Sequence, residues 1–316
     1  MLLTVTIQTY NNAELLDSTL EQLRGLQCPK ADDYEILIVD NNSSDSTSKV
    51  IQKHIVASRS RMRSVFEPLQ GLSHARNCAL KKARGQVVCF LDDDVFVDPQ
   101  WLTAVSTAFG RYSADVVGGR SYLIYPGQRP PWMTATTETL LSRLDHGDRT
   151  LVRTSKDLFG LNFAVRRSLA IALGGFRTDY GRSGKSLNCG EEIELLHRVR
   201  RAGGMVVYEP AAVVGHVVKP ERLSRKWLLR RTYAGAVAAE RMSMRNGKRD
   251  GVIRLLVHSG RCWASVAKSM LRGKDAPPVL FEKQYFAAYS LGRLAAAVQN
   301  RMALLRPLEK EPAWTA

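Results

Sequence analysis

Within its first 91 residues the chain repeats one pattern: a short apolar run rich in β-branched residues, a polar cluster, then apolar residues at helical spacing. The runs are 2–9, 34–39, 63–66 and 86–91, and the helical stretches between them are 13–26, 47–55 and 75–83. Such alternation predicts βαβ units with right-handed crossovers, hence an α/β fold with a largely parallel sheet flanked by helices. Sheets of this kind collect ligands beyond the carboxyl ends of their strands. Three polar clusters fall there: Thr9-Tyr10-Asn11, Asp40-Asn41-Asn42 and Asp92-Asp93-Asp94.

The pattern loosens after residue 125. A turn-rich break at 126–131 opens a polar excursion or lid that runs to about residue 156. A strand is expected at 162–165, a helix at 192–202 ended by Gly203-Gly204, and strands at 205–208 and 212–218. Beyond Pro220 the pattern is helical throughout, at 222–246, 250–272 and 281–305. The reading therefore divides the chain into an α/β part, 1–218, and a helical part, 219–316.

Charge divides the same way. Of the net +16, residues 1–216 carry only +3, with 26 Lys and Arg against 23 Asp and Glu. The last hundred residues carry the rest. A composition of 45 % apolar and 24 % charged residues excludes a disordered chain. Five scattered cysteines without a CxxC pair fit reduced thiols better than a disulfide framework or a zinc site. Residues 1–9 lack a basic leader and a cleavage site, and no 18-residue apolar run occurs. The expected location is cytoplasmic, with peripheral contact at the inner face of the cell membrane.

Asp92-Asp93-Asp94 follows the apolar run directly. Three adjacent carboxylates repel one another unless a cation or a solvated loop relieves them, and hard oxygens suit Mg²⁺ or Mn²⁺. An acidic turn capping the next helix is the alternative. Glu191 and Glu192 open a helix, where they complement the macrodipole; paired carboxylates also raise each other's pKa, as a general base near neutral pH requires. His216 reads as a core histidine or, beside carboxylates, as a ligand favouring Mn²⁺. Asp40 precedes an Asx-rich turn and is placed to accept from a nucleobase N–H. Ser73 caps a helix whose first turn holds Arg76, an anion site.

Taken together, 5–12, 38–45, 71–77, 90–94, Gly174-Gly175-Phe176 and Gly190-Glu191-Glu192 resemble the family 2 glycosyltransferases, inverting enzymes of GT-A fold. The resemblance covers about 3–216. Gln8 stands where that family usually has Pro, and Glu191-Glu192 where it usually has Glu-Asp. The likeness implies a nucleotide-sugar donor, UDP being the commonest nucleotide, held by Thr9, Tyr10, Asn11, Asp40, Arg76, Asp92 and Asp93. It implies Mn²⁺ or Mg²⁺ on Asp94, Asp92 and His216, with Glu192 as base and Glu191 the alternative. Asn162, Gly174, Gly175 and Phe176 match acceptor-side elements, and Trp132 is a candidate for stacking on the acceptor sugar. The implied acceptor is a glycan or a polyprenyl-diphosphate-linked glycan, in polysaccharide or cell-surface glycan biosynthesis.

The basic tail reads as a solvated helical surface or as a peripheral anchor on anionic lipid, with Trp227, Leu228, Trp263, Val266 and Leu271 among Lys and Arg. No nucleic-acid module accompanies it, so nucleic acid is not an expected partner. Competing readings are a sugar nucleotidyltransferase, whose Gly-rich basic phosphate loop is missing between Thr9 and Glu14, and a non-catalytic basic binding protein on the same scaffold.

Overall fold

The computed structural model describes residues 1–28, 34–58, 61–184, 186–248, 250–273 and 275–305. They separate into two compact units, Met1–Leu228 and Leu229–Ala316.

The first unit is built on a nine-stranded mixed sheet. In chain order its strands are β1 (Leu3–Thr9), β2 (Tyr34–Asp40), β3 (Met62–Phe66), β4 (Val87–Leu91), β5 (Val95–Val97), β6 (Val116–Ile124), β7 (Leu151–Val152), β8 (Asn162–Arg166) and β9 (Val206–Val217). The helices are α1 (Ala13–Leu23), α2 (Thr47–Ala57), α3 (Leu72–Lys82), α4 (Trp101–Tyr112), α5 (Ala135–Glu138), α6 (Arg167–Ala172) and α7 (Glu191–Arg201). Spatially the strands run β3-β2-β1-β4-β8-β6-β9-β5, with β7 beside β9. The first four are mutually parallel, as the alternation predicts, whereas β8 is antiparallel to both β4 and β6.

Alternation along each strand feeds two apolar layers. Leu3, Val5 and Ile7 of β1 pack with Leu16, Leu20, Trp101 and Phe109 on one face. Leu37 and Val39 of β2, with Val88 and Phe90 of β4, pack with Ala75, Ala79, Leu195 and Val199 on the other. The odd polar side chains on this second face are paired: Thr4 Oγ1 donates to Glu35 Oε1 at 2.8 Å.

The structure departs from the sequence reading in several places. The two strands expected at 205–208 and 212–218 are one strand, β9. Pro210, which lacks an N–H, falls where the register with β6 jumps from Glu209 to Val213, and this bulge absorbs it. The strands β5 and β6 are additions to that reading; β5 has three residues, and Gly118, Gly119 and Arg120 break the apolar pattern of β6. The 126–156 excursion is packed down rather than free-standing, with Met133, Leu141 and Leu144 buried.

The second unit is helical. α8 (Arg225–Arg245) crosses the boundary at Leu228, and α9 (Val252–Arg272) and α10 (Pro277–Leu305) follow. Buried Glu240 accepts from Arg293 at 2.6 Å, which ties α8 to α10. None of the helices among the described residues is long and apolar enough to cross a membrane.

Candidate active site

The polar clusters at the ends of β1, β2 and β4 meet, as parallel register requires. Asn11, in left-handed backbone at φ 48°, accepts at Oδ1 from the backbone N–H of Ser44 at 2.7 Å, joining the first two clusters. Asp40 Oδ1 accepts from the Ser43 N–H at 3.0 Å and closes its turn. Tyr10 is exposed beside them. Asn41 accepts from Gly71 N–H at 2.7 Å and donates to Leu69 O at 2.7 Å, so it positions the loop that starts α3.

The three aspartates have three different surroundings. Both oxygens of Asp93 are taken: Thr9 Oγ1 donates to one at 2.6 Å and Asn12 Nδ2 to the other at 2.7 Å. Asp93 and Thr9 thus brace the strand ends through their side chains. Burial first, then the Asp94 charge, push the Asp93 carboxyl up to about 7. Burial and Asp94 also raise Asp92, against the lowering influence of Arg76. Asp94 goes the other way. Burial raises it, but the charge and hydrogen bond of His216, then Arg222 and Lys219, hold it well below the carboxylate range.

The unexpected strand β5 brings His216 to this cluster. It pairs antiparallel with β9, setting Val95 opposite His216, and His216 Nε2 lies 3.4 Å from Asp94 Oδ1. On its other side Nδ1–H donates to the Leu141 carbonyl at 2.6 Å, a bond supplied by the excursion. That bond directs Nε2 at the carboxylate, as metal-binding imidazoles require. Burial lowers the His216 pKa, but Asp94 outweighs it and raises it. A carboxylate and an imidazole converging on one point fit a divalent cation. Among the described residues no group of three His, Cys, Asp or Glu is placed to hold a metal ion.

Two cations stand at this point that sequence reasoning passed over. Arg222 lies 3.2 Å from His216 Nε2 and 3.5 Å from Asp94 Oδ2. Lys219 Nζ donates to Asn12 Oδ1 at 2.8 Å. Their signal was the Lys-Pro-Glu-Arg run that follows His216, which had been counted with the basic tail.

Arg76 connects the aspartates to the glutamates. Its Nη1 lies 2.7 Å from Glu191 Oε1 and 3.9 Å from Glu192 Oε2, and its Nη2 lies 3.6 Å from Asp92 Oδ1. The guanidinium lies against the rings of Phe90 and Phe176, 5.8 and 5.5 Å from their centroids. A Cβ at Gly160 would collide with it, so only glycine admits this approach. The Glu191 side chain is 4 % exposed and that of Glu192 15 %, which separates a structural carboxylate from a reachable one.

Of the expected acceptor-side residues, Asn162, Gly175 and Phe176 make interior contacts, whereas Gly174 and Trp132 are reachable. Asn162 is buried, accepts from Trp101 Nε1 at 2.8 Å and donates to Arg120 O and Ala212 O. Phe176 is buried edge-on against Phe90, 5.2 Å between centroids. Gly175, at φ +68°, lies where a Cβ would meet Asn77 Oδ1 at 2.5 Å; Asn77 bonds both backbone groups of Phe176. Gly174, at φ +87°, has open space around it. Trp132 is half-buried, with the Arg225 guanidinium 5.3 Å from its ring.

Residues 4–174, more than half of the chain, match the family model of Glycosyl transferase family 2. The succinoglycan biosynthesis protein ExoM of Rhizobium meliloti is 28 % identical over 72 % of this chain and 71 % of its own length. The pre-mycofactocin glycosyltransferase of Mycobacterium tuberculosis is 29 % identical over 75 % of this chain but 46 % of its own length. Among solved structures, the mannosyltransferase PcManGT of Pyrobaculum calidifontis, in complex with GDP-Man and Mn²⁺, superposes over 98 % of this chain and 88 % of its own with a TM-score of 0.62 at 21 % identity. Residues 1–349 of S. aureus TarS, in complex with UDP-GlcNAc, give 0.55 at 15 % identity over 96 % and 92 %. The sheet and helices are thus those of the GT-A fold, and by its sequence match the chain belongs to glycosyl transferase family 2.

Proposed function

We propose that this glycosyltransferase moves a sugar from a UDP-sugar to a hydroxyl of a glycan or lipid-linked glycan, with inversion, in polysaccharide or cell-surface glycan biosynthesis. The observation that carries the reading is the Arg76 bridge, which joins the Asp92 carboxylate to the glutamates at the start of α7. A donor site and a base are then held by one buried group. The relative named for succinoglycan biosynthesis and the neighbours crystallised with nucleotide-sugars support the same chemistry.

In this reading Tyr10, Asn11 and Asp40 hold the nucleoside at the joined ends of β1 and β2. Asp94 and His216 would hold a divalent cation, Mn²⁺ or Mg²⁺, which supplies positive charge to the departing diphosphate. Arg222 and Lys219 add fixed positive charge beside it. Glu192 takes the proton of the acceptor hydroxyl as that oxygen attacks the anomeric carbon opposite the leaving group. Glu191, locked by Arg76, orients the first turn of α7 and leaves the base role to its neighbour. Glu192 stands in the first turn of α7, where the helix macrodipole complements its charge.

Calorimetric titration of UDP, GDP and dTDP, with Mn²⁺ and with EDTA, tests the donor assignment. UDP binding that needs Mn²⁺ and is lost in Asp94→Asn is the expected result. Failure of all three nucleotides in the presence of Mn²⁺ overturns the reading.

A further inference from the structure

Helix α9 divides its circumference three ways. Leu255, Ser259, Cys262, Val266 and Ser269, three and four residues apart, form the inward face. There Ser290 Oγ donates to Ser259 Oγ at 3.4 Å and Lys283 Nζ to Ser269 Oγ at 3.3 Å, both from α10. Arg254, Arg261 and Lys268 recur every seventh residue, and Arg272 continues the row. All four are exposed. The remaining arc is apolar and also exposed: Ile253 at 76 %, Leu256, Val257, Trp263, Met270 at 62 % and Leu271 at 88 %.

A helix of a water-soluble unit ordinarily keeps one apolar stripe and turns it to the core. Here a second stripe points away from the first, along the whole helix, bordered by cations. Contiguous exposed apolar surface of this kind marks an interaction site. The sequence expectation of lipid contact included Leu228 and Val266; both are buried, so the lipid-facing set is a different one.

The chemistry of the border selects the partner. α9 contains no Asp or Glu, so a second copy of the same face would set cations against cations. An apolar protein groove would cover the stripe and add nothing to the one counter-charge given to the row among the described residues, Asp250 at 3.7 Å from Arg254. An anionic bilayer meets both requirements, with acyl chains for the stripe and phosphates for the row. We propose that α9 lies in the plane of an anionic membrane surface. Ile253, Leu256, Val257, Trp263, Met270 and Leu271 enter the acyl boundary, and Arg254, Arg261, Lys268 and Arg272 stay among the headgroups. At 1.5 Å per residue its 21 residues make a contact strip about 30 Å long. The inference does not depend on the transferase reading.

Flotation of the full chain with phosphatidylcholine vesicles, with and without phosphatidylglycerol, tests it. Wild type is expected to float with the anionic vesicles alone. The triple variant Leu256→Glu, Trp263→Glu, Leu271→Glu should lose at least about tenfold in partitioning, since three apolar anchors leave the interface. Replacing Arg254, Arg261, Lys268 and Arg272 by Gln should lose on the order of a thousandfold and weaken the salt dependence. Circular dichroism checks folding, and each substituted side chain is already exposed. Trp263→Phe should remove the blue shift of tryptophan emission on vesicle addition. Three results overturn the proposal: wild type fails to float with anionic vesicles, the triple variant floats as wild type does, or light scattering shows a wild-type dimer that the triple variant dissolves. If nucleotide binding fails throughout while flotation behaves as stated, the donor-site reading falls and this one stands.

Discussion

Arg76 donates to Glu191 at 2.7 Å, and through that bond α3 is fastened to the first turn of α7. Both partners are buried. Removing one partner of such a pair leaves an uncompensated charge and costs about 3–5 kcal/mol. Arg76→Met should therefore lower the urea midpoint sharply. Glu191→Gln should do the same, with an unchanged m-value if the native state keeps its extent.

Glu192 is predicted to behave differently. Glu192→Gln should leave the urea midpoint and UDP affinity near wild type and reduce kcat by about a hundredfold to ten-thousandfold, the range of a general base. A Glu192→Gln enzyme with wild-type kcat, beside an inactive but folded Glu191→Gln, would transfer the base role to Glu191.

Arg222 and a divalent cation are drawn to the same two side chains, Asp94 and His216. Removing a fixed positive charge from that point should favour the ion. Arg222→Ala is expected to tighten Mn²⁺ binding in the absence of nucleotide by roughly tenfold, measured by the free Mn²⁺ electron paramagnetic resonance signal. Asp94→Asn should abolish that binding. Weaker Mn²⁺ binding in Arg222→Ala would contradict the shared position.

Gly160 should tolerate no side chain. Gly160→Ala pushes a methyl group into the Arg76 guanidinium. Overpacking of this kind costs about 1–3 kcal/mol. The same substitution should weaken UDP binding, because Arg76 must yield.

Glu35 links stability to pH. Burial raises its pKa, but Arg63, the Arg84 N–H and Thr4 outweigh burial and hold it below its ordinary 4.5. A folded-state pKa lower than the unfolded one stabilises above the unfolded value and ceases to do so as pH falls through the folded one. Stability should therefore decline on acidification below about 4.5, and Glu35→Gln should flatten that limb of a plot of urea midpoint against pH. An equally steep limb in the variant would assign it to other carboxylates.

Much of the polar cluster at the strand ends was legible because it is local. The runs ending at Thr9, Asp40 and Leu91 are uninterrupted and β-branched, and parallel pairing of consecutive βαβ units puts their ends together. The stretch from 162 to 176 was less legible. Asn162, Gly175 and Phe176 sit in motifs whose side chains serve packing, which spacing along the chain does not distinguish from ligand contact. β5 escaped because three residues are too few for alternation to register.

The sequence by itself determined the parallel half of the sheet, the clustering of aspartates at its edge and the basic helical end, since each depends on residue type and near-neighbour spacing. Tertiary structure decided which carboxylate does what. Asp93 became a brace because Thr9 and Asn12 reach both its oxygens, and Glu191 became a lock because Arg76, 115 residues earlier, closes on it. His216 faces Asp94 because β5 pairs with β9, and Arg222 joins them from the turn beyond. A carboxylate's role follows from its charge partners and its access to water, and both are set by residues far away in the chain.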